Sequence, residues 1–343
     1  MKIKLIAGLI AASAIAASPA QAEVKVESKG GGLKITSGES SMQIGGRLMY
    51  DYNRSELNGV VDEDQFDDRR ARLYVKGQFN KDWGYKLNPN LNGNGFEDAY
   101  LRYTGWGKGA QVTIGNQRVP FGLEDQTSSN DISVLERSAI TEQYALARLE
   151  GIQLSGDSDR SHYGIMVFAD DTDEESQGEE FGIGARYTYA PVKTDTSLVH
   201  LGAAYYDISE KQALGLEAAV VSGPFHVQAE YMDGEFSNED KDGFYVQAGY
   251  VFTGEVRPYK QGKFKRISPN AKSGAWEAVV RYETGDGNFS DIELGRTEAS
   301  AFTLGLNWYA HKNVRIGVNY TDGESDVNDD DGNEFRIRFG FAF

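Results

Sequence analysis

The stretch Phe335-Arg336-Ile337-Arg338-Phe339-Gly340-Phe341-Ala342-Phe343 alternates without a break. Odd positions are all apolar, even positions basic or small. Period two is the signature of a β-strand with one apolar and one polar face. Working backwards, Val314, Ile316, Val318 and Tyr320 alternate with Arg315, Gly317 and Asn319. Phe302, Leu304, Leu306 and Trp308 repeat the pattern, as do Phe244 to Phe252, Phe181 to Tyr189 and Ala71 to Phe79.

Sixteen such segments are expected, near 42–54, 66–79, 83–91, 97–105, 109–118, 150–157, 162–170, 180–190, 196–207, 213–221, 224–234, 243–253, 274–284, 300–310, 312–321 and 334–343. Their connections alternate in kind. Short turns such as Asn80-Lys81-Asp82 and Ser222-Gly223 face one side. Longer, mostly acidic stretches at 55–65, 119–149, 171–179, 235–242, 285–299 and 322–333 face the other. An even strand count with this asymmetry predicts an all-β, sixteen-stranded antiparallel transmembrane barrel. Trp83, Tyr85, Trp106, Tyr187, Tyr189, Trp308 and Tyr309 near strand ends suit interfacial aromatic girdles. A soluble β-sandwich also alternates, but it does not require the even count or the turn asymmetry.

Composition fits once this is seen. Mean hydropathy is −0.51 and formal charge −17, with 52 acidic and 35 basic residues. A barrel needs only half of each strand apolar, so averaging hides it. The acidity argues against a nucleic-acid binder. Zero cysteines exclude disulfides and thiolate chemistry, and four histidines leave little for a metal site. Residues 1–22 read as a signal peptide: Lys2 and Lys4, an apolar run Leu5 to Ala17, and Ala20-Gln21-Ala22. The expected organisation is therefore an export signal (1–22), a short periplasmic segment (23–41) and a barrel (42–343).

Several motifs together resemble the phosphate-selective porin O and P family of Gram-negative outer membranes. They are Gln43-Ile44-Gly45-Gly46-Arg47-Leu48, Arg69-Arg70-Ala71-Arg72-Leu73, Gly115-Asn116-Gln117-Arg118-Val119-Pro120-Phe121-Gly122 and Leu135-Glu136-Arg137-Ser138. Thr253-Gly254-Glu255, Gly274-Ala275-Trp276-Glu277 and Gly305-Leu306-Asn307-Trp308-Tyr309 follow in order. The resemblance implies a trimeric outer-membrane anion porin for phosphate or related oxyanions, with its third loop folded inward. It implies no enzyme activity and no cofactor. Arg118 and Arg137 are the expected anion-facing residues of that loop, by motif match.

Strand parity tests the implication. The polar faces carry Arg47, Arg70, Arg72, Lys76, Lys86, Arg102, Arg186, Arg281, Arg315, Arg336 and Arg338, all but Lys86 and Arg186 assigned to the expected pore wall. Barrel closure brings Arg315, Arg336, Arg338, Arg47, Arg70, Arg72 and Lys76 onto four consecutive strands. Arginine suits oxyanions because its fork of donors matches them. The competing account has these arginines pairing with acids to hold the wall open. A second basic stretch, 254–272, carries Arg257, Lys260, Lys263, Lys265 and Arg266 on the short-turn side; it either folds into the pore exit, or is a solvated turn or a contact with a periplasmic partner. The third loop is acidic, with Glu124, Asp125, Asp131, Glu136 and Glu142, which suits phosphate poorly; a short helix within 128–144 is expected, capped by Ser129 or Asn130. Asp326 to Gly332 is a weak calcium-loop match and is read as a surface loop, bridged to lipopolysaccharide by divalent ions. The competing functions are a general, cation or sugar porin, and an outer-membrane hydrolase or adhesin.

Overall fold

The computed structural model describes residues 23–343 except 94, 171–179, 210, 237–238, 287–297 and 326–329. The expected signal peptide, and part of the calcium-like loop, lie outside the described residues.

Every expected strand is present. A hairpin of β1 (Val24–Lys29) and β2 (Gly32–Ser37) precedes β3 (Ser40–Leu57), β4 (Val60–Gln78), β5 (Trp83–Pro89), β6 (Phe96–Tyr103), β7 (Gln111–Arg118) and β8 (Arg148–Asp157). Then come β9 (Ser161–Asp170), β10 (Glu180–Lys193), β11 (Ser197–Ile208), β12 (Lys211–Ser222), β13 (Phe225–Phe236) and β14 (Glu239–Val251). A small hairpin, β15 (Tyr259–Lys260) and β16 (Lys263–Phe264), interrupts the series before β17 (Ala275–Asp286), β18 (Glu298–His311), β19 (Val314–Ser325) and β20 (Asp330–Ala342). Strands β3–β14 and β17–β20 pair antiparallel in sequence, and β20 closes on β3 with Arg338 opposite Asp51. The result is a closed sixteen-stranded barrel.

Alternation sets which face is which. On β20, Phe339 and Phe341 are 47% and 44% exposed, while Arg336 and Arg338 are buried. Apolar side chains face outward and polar ones inward, the inverse of a soluble barrel.

Two elements depart from expectation. The 55–65 stretch is not a loop: β3 and β4 run on as a ribbon to a two-residue turn, Asn58-Gly59. Both turn residues have positive φ, 51° and 74°, as this tight hairpin turn requires. The 23–41 segment forms the β1–β2 hairpin, whose second strand pairs with the start of β3.

The lumen is only partly open. The 119–147 loop carries α1 (Leu123–Gln126) and α2 (Ala139–Tyr144), the latter capped by Ser138 and not by Ser129 or Asn130 as expected. Its Val119, Phe121, Ile140 and Tyr144 pack on Met166, Phe168, Tyr206, Ala213 and Met232 of β9, β11, β12 and β13. Phe264 of β16 joins Leu123, Leu198, Ala219 and Val221; Ile267 joins Val251, Ala275 and Tyr309. Each large apolar side chain removed from water contributes about 1.5–3 kcal/mol. The loop and the 252–274 segment thus fill the side of the barrel built by β9–β18.

Candidate functional site

The wall grips the third loop through two kinds of charge. Wall arginines take its carbonyls: Arg315 donates to Ile132 O at 2.6 Å and also to Ser133 O, and Arg338 donates to Leu135 O. Wall glutamates take its amides. Glu230 accepts from Leu123 N at 2.5 Å and Glu124 N at 2.8 Å, and Glu283 from Ala139 N at 2.6 Å.

Glu136 is the busiest junction. It accepts from Arg70 at 2.8 Å, Arg69 at 3.0 Å and Arg336 at 3.2 Å, and also from Arg338. Burial opposes its ionisation, but Arg338 and Arg70 outweigh that and hold its carboxyl well below the ordinary range. Asp51 takes the remaining donors of Arg338 at 2.5 Å. Arg281 reaches Glu283 at 2.9 Å and the Glu136 carbonyl at 3.0 Å. Of the pore wall expected from parity, Arg70, Arg281, Arg315, Arg336 and Arg338 therefore lie behind the loop, holding it. Arg137 is folded into the loop itself, donating to Thr127 O at 2.9 Å.

The loop's acidity has the same explanation. Asp125 pairs with Arg118, Glu124 accepts from Ser138 N at 2.8 Å, and Asp131 lies 3.8 Å from Lys265. These carboxylates fasten the loop and do not present a free acidic rim.

Among the described residues, a cavity of about 420 Å³ lies open against β3–β8. Six consecutive strands each contribute one cation to it: Arg47, Arg72, Lys86, Arg102, Arg118 and Arg148. Lys263 and Lys265 come from β16 and the residue that follows it; Ser128, Ser129 and Asn130 face them from the loop, and Asp98 is the one acidic side chain of the lining. Sequence reasoning placed Arg47, Arg72 and Arg102 on the pore wall and Arg118 in the constriction by motif match, and left Lys263 and Lys265 open between the pore exit and a solvated turn. Parity also put Lys86 on the polar face of its strand without assigning it to the anion path, and Arg148 was read only as a charge of the third loop. Lys76 sits opposite Lys86 and over the Tyr74 ring, 4.9 Å from its centroid.

The basic 254–272 stretch is folded inward. Arg257 donates to Gln228 at 2.7 Å and lies 4.0 Å over the Phe264 ring; Arg266 donates to Asn130 of the loop at 3.1 Å. Lys260 is exposed at the hairpin turn.

Several cavity cations are neutralised in place. Lys86 pairs with Asp98 at 2.5 Å, Arg148 with Glu97 at 2.7 Å and Asp98 at 2.9 Å, and Arg72 with Glu97. Among the described residues, Arg47, Arg102 and Lys263 have no carboxylate partner. Arg47 donates only to Ser128 at 3.2 Å; Arg102 donates to Thr113 at 3.0 Å and stacks on Tyr100. Arg47 also stands directly opposite Arg72, and Arg118 opposite Arg148. Like charges paired across strands destabilise a sheet, so folding alone does not account for them. Burial, then Lys265, Arg186, Arg118 and Arg102, pull the Lys263 ammonium down to about 7.

Comparison with known proteins agrees. Phosphate-selective porin O and P is the family whose model matches, at residues 42–213 and 207–343. Porin O of Pseudomonas aeruginosa is 29% identical over 410 residues, covering 94% of this chain and 93% of that one. Among solved structures, an anion-selective porin from Comamonas acidovorans has a TM-score of 0.60 at 15% identity, covering 89% of this chain and 100% of that one. OmpT of Vibrio cholerae in its trimer form has a TM-score of 0.58 at 12% identity, covering 89% and 99%. These last two likenesses are of fold. With the family model spanning the whole barrel, the chain belongs to the phosphate-selective porin O and P family, an outer-membrane protein of Gram-negative bacteria.

Proposed function

We propose that this barrel passes small anions, phosphate-like oxyanions among them, by passive diffusion along the β3–β8 wall. The observation that carries the reading is the row of six cations, one per strand, joined by Lys263 of the hairpin; among the described residues Arg47, Arg102 and Lys263 are free of carboxylate. Low-dielectric walls focus the field of such a row and raise local anion concentration. Several weak sites in series let an ion enter and move on without being trapped. No covalent step is needed, so the protein acts as a channel and not as an enzyme. Reversal potentials in a KCl gradient across planar bilayers test it. Anion preference, with chloride current reduced by added phosphate, is expected; cation preference overturns the reading.

Lys263 gives the channel a second readout. Its ammonium is charged below about pH 7 and neutral above it. Anion preference should therefore fall, by about twofold, as pH rises from 6 to 8. Lys263→Gln should flatten that step.

A homotrimer fits one measurement of the wall. Strands β5, β6 and β7 have 7, 8 and 8 residues, fewer than the 9–11 a lipid-facing strand needs. A neighbouring subunit covering this low wall removes the mismatch. The export signal, and bridging of the acidic outer surface to lipopolysaccharide by divalent ions, complete the proposal.

A further inference from the structure

The β15–β16 hairpin has only two rungs: Tyr259 stands opposite Phe264, and Lys260 opposite Lys263. Successive side chains of a strand take opposite faces. Phe264 goes to the apolar side, fully buried with Leu123, Leu198, Ala219 and Val221, and Lys263 goes to the anion cavity. A slip of one residue would exchange them. Two rungs resist such a slip weakly, and Lys260 opposite Lys263 sets like charge against like charge. The hairpin therefore needs a further hold to keep its lysine on the polar side.

That hold is at the turn. Gln261 and Gly262 both have positive φ, 55° and 69°. This is the two-residue hairpin geometry in which Asn-Gly is the favoured pair. Glutamine is an unusual occupant, because outside glycine the left-handed region favours Asn, Asp and His. What glutamine adds over asparagine is reach. Its Nε2 donates to Asp157 Oδ2, at the end of β8, at 2.8 Å. The second oxygen of that carboxylate lies 2.8 Å from His162 Nδ1 on β9, which fixes its orientation. At the next residue, Arg186 of β10 donates to Gly262 O at 2.7 Å, while two 2.7 Å bonds bind it to Glu217 of β12. Gly262 sits too close to the wall for any side chain: a Cβ there would lie 2.9 Å from the Thr188 hydroxyl oxygen and 3.0 Å from Arg186 Nη1. Four wall strands thus converge on the two residues directly ahead of Lys263.

We propose that Gln261, Asp157 and Arg186 are positioning residues of the anion path: they clamp the turn to the wall, and the clamp decides that Lys263, and not Phe264, faces a passing anion. The turn by itself is served better by asparagine. Glutamine stands there because its amide spans the gap to Asp157.

This rests on the anion-porin reading, and the test separates the two. Reversal potentials in a KCl gradient are measured at pH 6, where Lys263 is charged, for the wild type and for Gln261→Asn. Asn-Gly suits the turn, so the variant should fold and insert as the wild type does, and a role in stability alone gives no loss. The tether, however, is one methylene short. The anion-to-cation permeability ratio should fall about twofold, as far as Lys263→Gln lowers it. Adding Asp157→Glu supplies the missing methylene from the other side and should restore the ratio. On the Lys263→Gln background, Gln261→Asn should change nothing further. An unchanged ratio in Gln261→Asn overturns the proposal. So does a loss that Asp157→Glu leaves in place, or one that appears equally on the Lys263→Gln background. Gly262→Ala attacks the same clamp sterically and should reproduce the twofold fall; a wild-type ratio there also overturns it. A wild type with no anion preference instead overturns the porin reading.

Discussion

A chain carrying Arg47→Gln, Arg102→Gln and Lys263→Gln together is expected to lose most of its anion preference, its chloride-to-potassium permeability ratio falling about tenfold. The other five lining cations each have a carboxylate at hand: Glu97 and Asp98 for Arg72, Lys86 and Arg148, Asp125 for Arg118 and Asp131 for Lys265. Their fields are largely cancelled where they stand. The three free cations are the ones an entering anion meets uncompensated. Folding should tolerate the change, since none of the three is in an ion pair and removing Arg47 relieves its opposition to Arg72. Salt-gradient reversal potentials of the triple variant check this. An unchanged ratio would place the anion path elsewhere in the barrel.

The second large effect belongs to Glu136→Gln. Four guanidiniums converge on that one carboxylate. Asp51 still serves Arg338 and Arg336 after the change, but Arg70, itself buried, is left without an acid. Removing one member of a buried charge cluster costs about 3–5 kcal/mol. The loop should part from β3, β4 and β20, seen as a lowered thermal unfolding temperature and a noisier single-channel current. Wild-type thermal stability and a quiet current in the variant would show that the loop is held by its apolar face alone. The sign of the pH effect follows from the depressed carboxyl. Its contribution is complete above the unfolded value near 4.5 and is lost only as pH falls through the lower folded value. The loop's arginine anchor therefore stays in place throughout the neutral and mildly acidic range.

The wall was legible because alternation is local. Phe339 and Arg338 announce their faces within a few residues, and sixteen such announcements make a barrel. The 55–65 ribbon was not legible, because outside the membrane neither face needs to be apolar and Asp62, Glu63 and Asp64 conceal the strand. Parity correctly pointed Arg336 and Arg338 inward. It could not say what they would meet, since Glu136 lies 200 and 202 residues away and reaches them only through the course of the third loop. That course also separates Arg47 and Arg102, which keep an open face, from Arg70 and Arg315, which do not. Sequence spacing holds no record of which arginines a loop will cover.

Beside β9–β18 the lumen holds apolar side chains as fully buried as those of a water-soluble protein's core, and this limits what can be done with the channel. A designer wishing to admit bulkier cargo would first think of excising the third loop. In many barrels the bore so widened is polar. Here the cut would uncover Met166, Phe168, Tyr206 and Met232, side chains the loop now covers. Water would then wet an oily inner surface, and the emptied barrel would be prone to collapse or to clog with greasy solutes. Gains in bore have to come from trimming side chains along β3–β8, where the lining already tolerates solvent.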